Sequence, residues 1–253
     1  MSSEAEYRSR SRLLLGDEVM NRLASARVIV FGVGGVGSWA AEALVRTGLV
    51  HLTIVDSDEV APSNINRQLP ATVETLGEPK VKALRDHLLT VNPGADIVAL
   101  EKAYTAENAA EFELEKYDYV IDAIDSLSCK AHLILHVTSL KRVKLFSSMG
   151  AATRIDPTAV KVAEFWKVQG CPLARALRNK FRRSGMKPRH AFKCVFSEEQ
   201  GCNRGAEGFE ATATGTWDAS KAAINGSLIT VTGTFGFTLA SLVIRDLLDS
   251  GPA

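Results

Sequence analysis

One unbroken stretch, Arg27 to Gln68, constrains this chain more than any other: RVIVFGVGGVGSWAAEALVRTGLVHLTIVDSDEVAPSNINRQ. Val28, Ile29, Val30 and Phe31 favour a strand and lead straight into Gly32, Gly34, Gly35 and Gly37. Trp39, Ala40, Ala43 and Leu44 then repeat at helical spacing until Gly48, and a second apolar run, Leu52 to Val55, ends on Asp56. The pattern predicts strand, glycine turn, helix, strand, acid. Glycines let the backbone turn tightly and approach a phosphate, which the exposed N–H groups of the helix start then face. A carboxylate about twenty residues further on can accept hydrogen bonds from ribose hydroxyls. Nucleotide binding fits all of these parts; a flavodoxin-like sheet, whose glycines serve only a tight turn, fits the glycines alone.

The residues after Asp56 narrow the nucleotide. Asp58, Asn64, Asn66, Arg67 and Gln68 arrive within one loop, and Lys80 opens the next helix after Pro79. Several donors, two of them cationic, suit a triphosphate better than a nicotinamide. In order, GxGGxGS, DxDxVxxSNxNRQ and GxPKV resemble the adenylating enzymes related to the ubiquitin-activating enzyme. The resemblance spans nearly the whole chain and implies attack of a carboxylate on the α-phosphate of ATP, assisted by Mg2+. Charge builds on the phosphates in such a reaction, so cations are required. Arg67 and Lys80 are the candidates to hold the phosphates and Asn64 a neutral donor. Gly32, Gly34, Gly35, Gly37, Asp56, Asp58, Gln68 and Asp122 complete the expected ATP site. A hard cation prefers carboxylate oxygen, and in the family pattern the second acid of the DxxD segment binds the metal, which points to Asp125 over Asp122. Asp122 also fits a helix cap or a strand-end carboxylate. Family members further use an arginine near the N-terminus to reach the neighbouring subunit's phosphates. The SRLLLG context matches Arg12 to that position, with Arg8 and Arg10 as rivals.

The chain's 253 residues, 46% hydrophobic, suffice for one large domain. The expected organisation is a helical lead-in over 1–26, a nucleotide-binding core over 27–150, and an extension over 151–253 for substrate and partner contacts, with a mobile loop near 200–226. MSSEAEYRSRSR lacks the apolar core of a secretory signal. The four cysteines, Cys129, Cys171, Cys194 and Cys202, form no CxxC pair, so neither a disulfide framework nor a zinc ribbon is indicated and a cytoplasmic setting is expected. Leu228 to Leu248 is apolar but broken by threonines, glycines and Arg245; it reads as a buried or interface helix, with a membrane span as the lesser alternative.

Helices are expected over Pro79–Val91 and Ser128–Leu140, a short one over Asn108–Leu114, and strands over Ile97–Leu100, Tyr119–Ile121 and Val143–Phe146. Strands alternating with helices imply an α/β fold, Rossmann-like and doubly wound, with a mainly parallel sheet. Gly32, Asp56 and Asp122 then fall at the carboxyl ends of strands, where such sheets bind ligands. Past Gly150 the alternation stops. Ala152–Ile155 and Val160–Phe165 flank Asp156-Pro157-Thr158 and predict a hairpin.

A basic segment follows: Arg175, Arg178, Lys180, Arg182, Arg183, Lys187, Arg189, His190 and Lys193, with no acid between Cys171 and Ser197. Leu173, Leu177 and Phe181 make its first half a helix. The run fits either a solvated helix face or, being so one-sided in a chain of net charge +1, an anionic partner. VIDAIDS, IDPT, CVFSEE and TFGF, taken with this segment, resemble the tRNA-modifying branch of the same family. That branch closes threonylcarbamoyladenosine beside the anticodon into a cyclic form. The resemblance implies tRNA as partner, contacted by Arg175, Arg178, Lys180, Arg182, Arg183, Lys187 and Arg189, and a homodimer. A cysteine desulfurase or sulfur-acceptor system is a further candidate partner. Cyclisation needs no enzyme thiol, because the nucleophile lies in the substrate. Activation of a carrier protein ending in Gly-Gly is the alternative within the family; an oxidoreductase and a non-catalytic tRNA-binding or sulfur-relay module are the alternatives outside it.

Overall fold

The computed structural model describes residues 6–205 and 225–250. Its framework is one seven-stranded sheet in the order β3-β2-β1-β4-β5-β7-β6. The strands are β1 (Arg27–Phe31), β2 (His51–Val55), β3 (Asp96–Leu100), β4 (Tyr119–Asp122), β5 (Lys144–Ser148), β6 (Val160–Glu164) and β7 (Lys193–Ser197). All neighbours pair in parallel except β6 with β7. The long helices are α1 (Ser9–Ser25), α2 (Gly37–Thr47), α3 (Lys80–Val91), α4 (Leu127–Val137), α5 (Pro172–Ser184) and α6 (Ile229–Asp249).

Strand alternation divides the core into two layers. Val28, Val30, Leu52, Ile54 and Ile121 point to the face covered by α1, α2, α3 and α6, beside Leu23, Leu44, Leu84 and Phe235. Ile29, Phe31, Val55, Val120 and Leu145 point to the other, under α4 and α5, beside Leu133, Ile134, Leu177 and Phe181. Both faces are covered, which is why these strands read as continuous apolar runs rather than alternating ones.

The apolar C-terminal stretch is α6, and its glycines and threonines have local reasons. A Cβ at Gly236 would stand 2.5 Å from the Val36 carbonyl oxygen and 2.7 Å from Trp39 Cβ, so only glycine lets α6 lie this close to the start of α2. At its far end Asp246 accepts from the Tyr119 hydroxyl (2.8 Å) and the Lys144 ammonium (2.6 Å), fastening the helix to the sheet. The helix is long and apolar enough by length and composition to cross a membrane, and 56% of its apolar window is buried within the fold.

Two expectations change. The hairpin of Ala152–Ile155 with Val160–Phe165 does not form: Val160–Glu164 pairs instead with Lys193–Ser197, a strand the sequence did not reveal. Thr153 takes a positive φ of 59°, and the Ile155 and Asp156 N–H groups donate to the Glu199 carboxylate at 2.9 and 3.0 Å, so they are spent outside any ladder. Asp156 accepts from the Thr158 N–H (2.8 Å) and caps a 3₁₀ turn rather than a hairpin loop. The short helix over Asn108–Leu114 is two 3₁₀ turns, Ala109–Phe112 and Leu114–Lys116, broken where Glu113 is left-handed. The loop expected near 200–226 falls largely outside the described residues.

Candidate active site

The glycine loop is shaped by contact across the sheet's switch point. Sheet order reverses between β1 and β4, and ligands of such sheets sit in the crevice beyond the carboxyl ends there. Gly32 has φ +83°, donates its N–H to Val55 O (2.8 Å), and a Cβ on it would lie 2.8 Å from Ala123 O. The loop is thereby pinned between β2 and the segment after β4. Gly34 faces the Gln68 amide, Gly35 faces Arg67 and Thr232, and Gly37 begins α2.

Asp56, at the end of β2, accepts from the Val33 N–H (2.8 Å) and the Asp58 N–H (2.9 Å). Each bond uses a different carboxylate oxygen, so lone pairs remain for further donors such as ribose hydroxyls. Burial raises its pKa above the usual carboxylate value, and the charge of nearby Lys80 opposes that rise. Lys80 is doubly tied to Asp58: its N–H donates to the Asp58 carbonyl (2.9 Å) and its ammonium to the carboxylate (2.8 Å). The lysine side chain is 7% exposed, so its charge is fixed in place at the first residue of α3.

The loop between β2 and α3 supplies the second cation. A 3₁₀ turn at Pro62–Asn64 is closed by Asn64, which accepts from Ala61 N–H (3.0 Å). Arg67 donates to Ser63 O (2.7 Å) and Asn66 Oδ1 (3.0 Å), while its own carbonyl accepts from the Trp39 indole (3.0 Å). Burial lowers the pKa of Arg67 below its usual value and the charge of Asp125 opposes that shift, so guanidinium and carboxylate share one field. Gln68 is buried, and among the described residues its Oε1 accepts no hydrogen bond. Asp125 itself is exposed, just past the end of β4.

Gly32, Gly34, Gly35, Gly37, Asp56, Asp58, Asn64, Arg67, Gln68, Lys80 and Asp125 thus gather at one end of the sheet. Asp122 does not join them as a crevice ligand. Its carboxylate is fully buried, 2.8 Å from the Lys130 ammonium, and accepts from Ser147 Oγ (2.7 Å) and Ile124 N–H (3.1 Å). Lys130, equally buried, also donates to Ile124 O (2.9 Å). This pair lies beneath the Ala123-Ile124-Asp125 segment and clamps it from inside. Sequence reasoning missed Lys130, Ser147 and Trp39. A lysine five residues after Asp125 was the signal, but a lone lysine in a helix reads as surface.

Arg12 stays on α1, paired with Asp17 at 2.9 Å with both side chains exposed. Neither Cys194 nor Cys171 is placed for chemistry: both are buried, and burial pushes the Cys194 thiol well above its usual value. Among the described residues no group of three or more His, Cys, Asp and Glu side chains could hold a metal ion alone. Asp125 fits the other mode, in which Mg2+ takes one or two carboxylates and completes its shell with phosphate oxygens and water.

The basic segment forms α5 and the turn after it. Gly150 packs against Cys171 and Leu173, so α5 starts at the crevice end of the sheet. Its 13 residues run about 20 Å to the opposite edge, where the Arg189 N–H reaches Thr138 Oγ1 at 3.3 Å. Arg175, Lys180, Arg182, Arg183, Lys187 and Arg189 are exposed along this course. Arg178 is not available in the same way. It is half-buried, donates to Val168 O (2.9 Å) and Phe165 O (3.4 Å), and lies over the Phe165 ring.

The chain is similar to known proteins in both sequence and structure. The tRNA threonylcarbamoyladenosine dehydratase of Bacillus subtilis is 42% identical over 192 residues, covering 76% of this chain and 74% of its own. The enzyme of that name from Escherichia coli is 34% identical over 244 residues, covering 93% and 91%. The crystal structure of E. coli tRNA N6-threonylcarbamoyladenosine dehydratase in complex with ATP is similar with a TM-score of 0.85 at 31% identity, covering 98% of this chain and 96% of that one. A model of the ThiF family matches residues 8–252. The chain belongs to the ThiF family.

Proposed function

We propose that this chain catalyses the ATP-dependent dehydration of threonylcarbamoyladenosine in tRNA to its cyclic form. The observation that carries the proposal is likeness to named dehydratases over nine-tenths of the chain, crevice and basic segment alike. The threonyl carboxylate attacks the α-phosphorus of ATP, the α–β phosphoanhydride bond breaks, and pyrophosphate leaves. The carbamoyl group then attacks the activated acyl carbon within the same modified residue, loses a proton and expels AMP. Proximity makes this second step effectively unimolecular. The net change in the nucleoside is loss of one water.

The chain's residues serve the first step. Asp56 accepts from the ribose hydroxyls, the glycine loop and the start of α2 face the phosphates, and Arg67 and Lys80 neutralise charge as it builds on them. Gln68 Oε1, which no donor among the described residues reaches, is available to the nucleotide. Asp125 would hold Mg2+, which supplies charge neutralisation at the phosphate oxygens when bound. Arg67 beside Asp125 brings cation and metal ligand to the same side of the crevice.

The partner is tRNA, whose phosphates match the exposed cations of α5. The chain works as a homodimer in the cytoplasm, with Arg12 crossing to the neighbouring crevice from the exposed N-terminal helix. Residues 1–26, 27–150 and 151–253 act as lead-in, nucleotide-binding core and substrate extension of one adenylating domain. Incubation of the protein with ATP and tRNA carrying threonylcarbamoyladenosine tests the proposal: the nucleoside loses one water only when ATP is present. An unchanged nucleoside mass, with pyrophosphate exchange appearing on addition of a Gly-Gly carrier protein, would replace it with the carrier-activating alternative.

A further inference from the structure

Trp166 is the least explained large side chain in the fold. It lies on a 3₁₀ turn, Phe165–Lys167, that follows edge strand β6, and it is 44% exposed. Its own support is rigid. The indole meets the fully buried Phe165 edge-on (centroids 5.1 Å apart), and Phe165 stacks on Phe192 (5.1 Å) and meets Phe181 edge-on (5.8 Å). The Trp166 N–H donates to the Glu164 carboxylate (2.9 Å), fixing the turn. With Phe181, Arg182, Gly185, Met186 and Lys187 it lines a surface cavity of about 220 Å³. An exposed indole on an aromatic base, rimmed by two cations, lies at the end of α5 furthest from the crevice.

We infer that Trp166 is a stacking platform for an unpaired base of the bound RNA, with Arg182 and Lys187 on the flanking phosphates. The inference rests on tRNA being the substrate. Single-stranded RNA is recognised by stacking on aromatic faces, while arginine and lysine track the backbone. Charge complementarity selects this occupant over a second copy of the chain. A two-fold interface would set the same patch against itself, and among the described residues the charged side chains lining the cavity are Arg182 and Lys187, both cationic. Glu164, the nearby acid, is already bonded to the turn's own backbone. The platform would hold a nucleotide well away from the modified adenosine, about the length of α5 from the crevice, and so help fix the register of the loop in the site.

The test compares wild type, Trp166→Ala and Trp166→Phe for binding to full-length modified tRNA across a salt series, with light scattering on each. Stacking is worth roughly a 5- to 150-fold loss in affinity on truncation to Ala. The Phe variant recovers most of it. Because no charge is removed, the slope of log affinity against log salt stays as in wild type, whereas Lys187→Ala flattens it. Unchanged affinity in Trp166→Ala beside tight wild-type binding overturns the platform while leaving the tRNA reading intact. Conversion of a dimer to a monomer in Trp166→Ala overturns it in favour of a protein interface. Failure of wild type itself to bind tRNA removes the reading on which it rests.

Discussion

The crevice and the α5 stripe are built on opposite plans. The crevice draws on five separate segments, from Gly32 to Asp125, and its charged groups are held by short bonds: Asp56 by the Val33 and Asp58 N–H groups, Arg67 by Ser63 O, and Lys80 by the Asp58 carboxylate. The stripe comes from one continuous segment, and its exposed cations stand in solvent along a single helix and turn. The difference matches the demands of the two tasks. Phosphoryl chemistry needs charge at fixed positions before the reaction begins, whereas a polyanion is attracted by cations that need only face it. Arg178 marks the boundary: it has the stripe's sequence context but the crevice's kind of bonding.

The comparison breaks most visibly at the Asp122–Lys130 pair. Asp122→Ala leaves a fully buried ammonium without its carboxylate and should cost about 3–5 kcal/mol of stability, read by urea denaturation. A loss below about 1 kcal/mol would mean that the pair does not clamp the loop. Next in size, Lys80→Ala or Arg67→Ala should lower pyrophosphate release roughly 10²- to 10³-fold. Their melting should stay close to wild type, because Asp58, the partner of Lys80, is half-exposed and regains water. Near-normal turnover in either variant would remove it from the phosphate site.

The stripe should answer to salt rather than to unfolding. Reversing Arg182 and Arg183 to Glu weakens tRNA binding and reduces the salt slope by about one for each phosphate that is no longer neutralised. Arg178→Ala should lower stability with little change in that slope. Equal behaviour of the two would erase the distinction drawn from Arg178's bonds. The smallest effect expected is in pH. Burial makes Asp56 hold its proton to higher pH than a free carboxylic acid. The ionised form is the acceptor for ribose, so ATP affinity should rise several-fold as pH climbs through that raised value and then level off. Asp56→Asn should flatten the rise; an unchanged profile would assign the titration elsewhere.

The two regions were also unequally legible in the sequence. Glycines and an acid at fixed spacing announce a nucleotide crevice because the backbone requirement is local: Gly32 needs a positive φ and room for Ala123 O, and no other residue supplies both. The basic run is legible from composition alone. Burial of charge is not. Asp122 read as a crevice ligand and Arg178 as a tRNA contact, since nothing in DAIDSLSCK or LARALRNK shows which charged side chain turns inward. Strand β7 was hidden because KCVFS is short and flanked by charge, and its partners are chosen by Glu199 drawing the N–H groups of Ile155 and Asp156 away from a hairpin. These are tertiary choices that local pattern does not encode.

The most direct test of the link between the two regions is a single-turnover count of AMP formed and nucleoside cyclised on modified tRNA, for wild type and Arg67→Ala. One AMP for each cyclised nucleoside in wild type, with both lost together in the variant, is the predicted result. Cyclisation without AMP, or AMP formed at the same rate with no tRNA present, would contradict adenylation of the tRNA-borne carboxylate in this crevice.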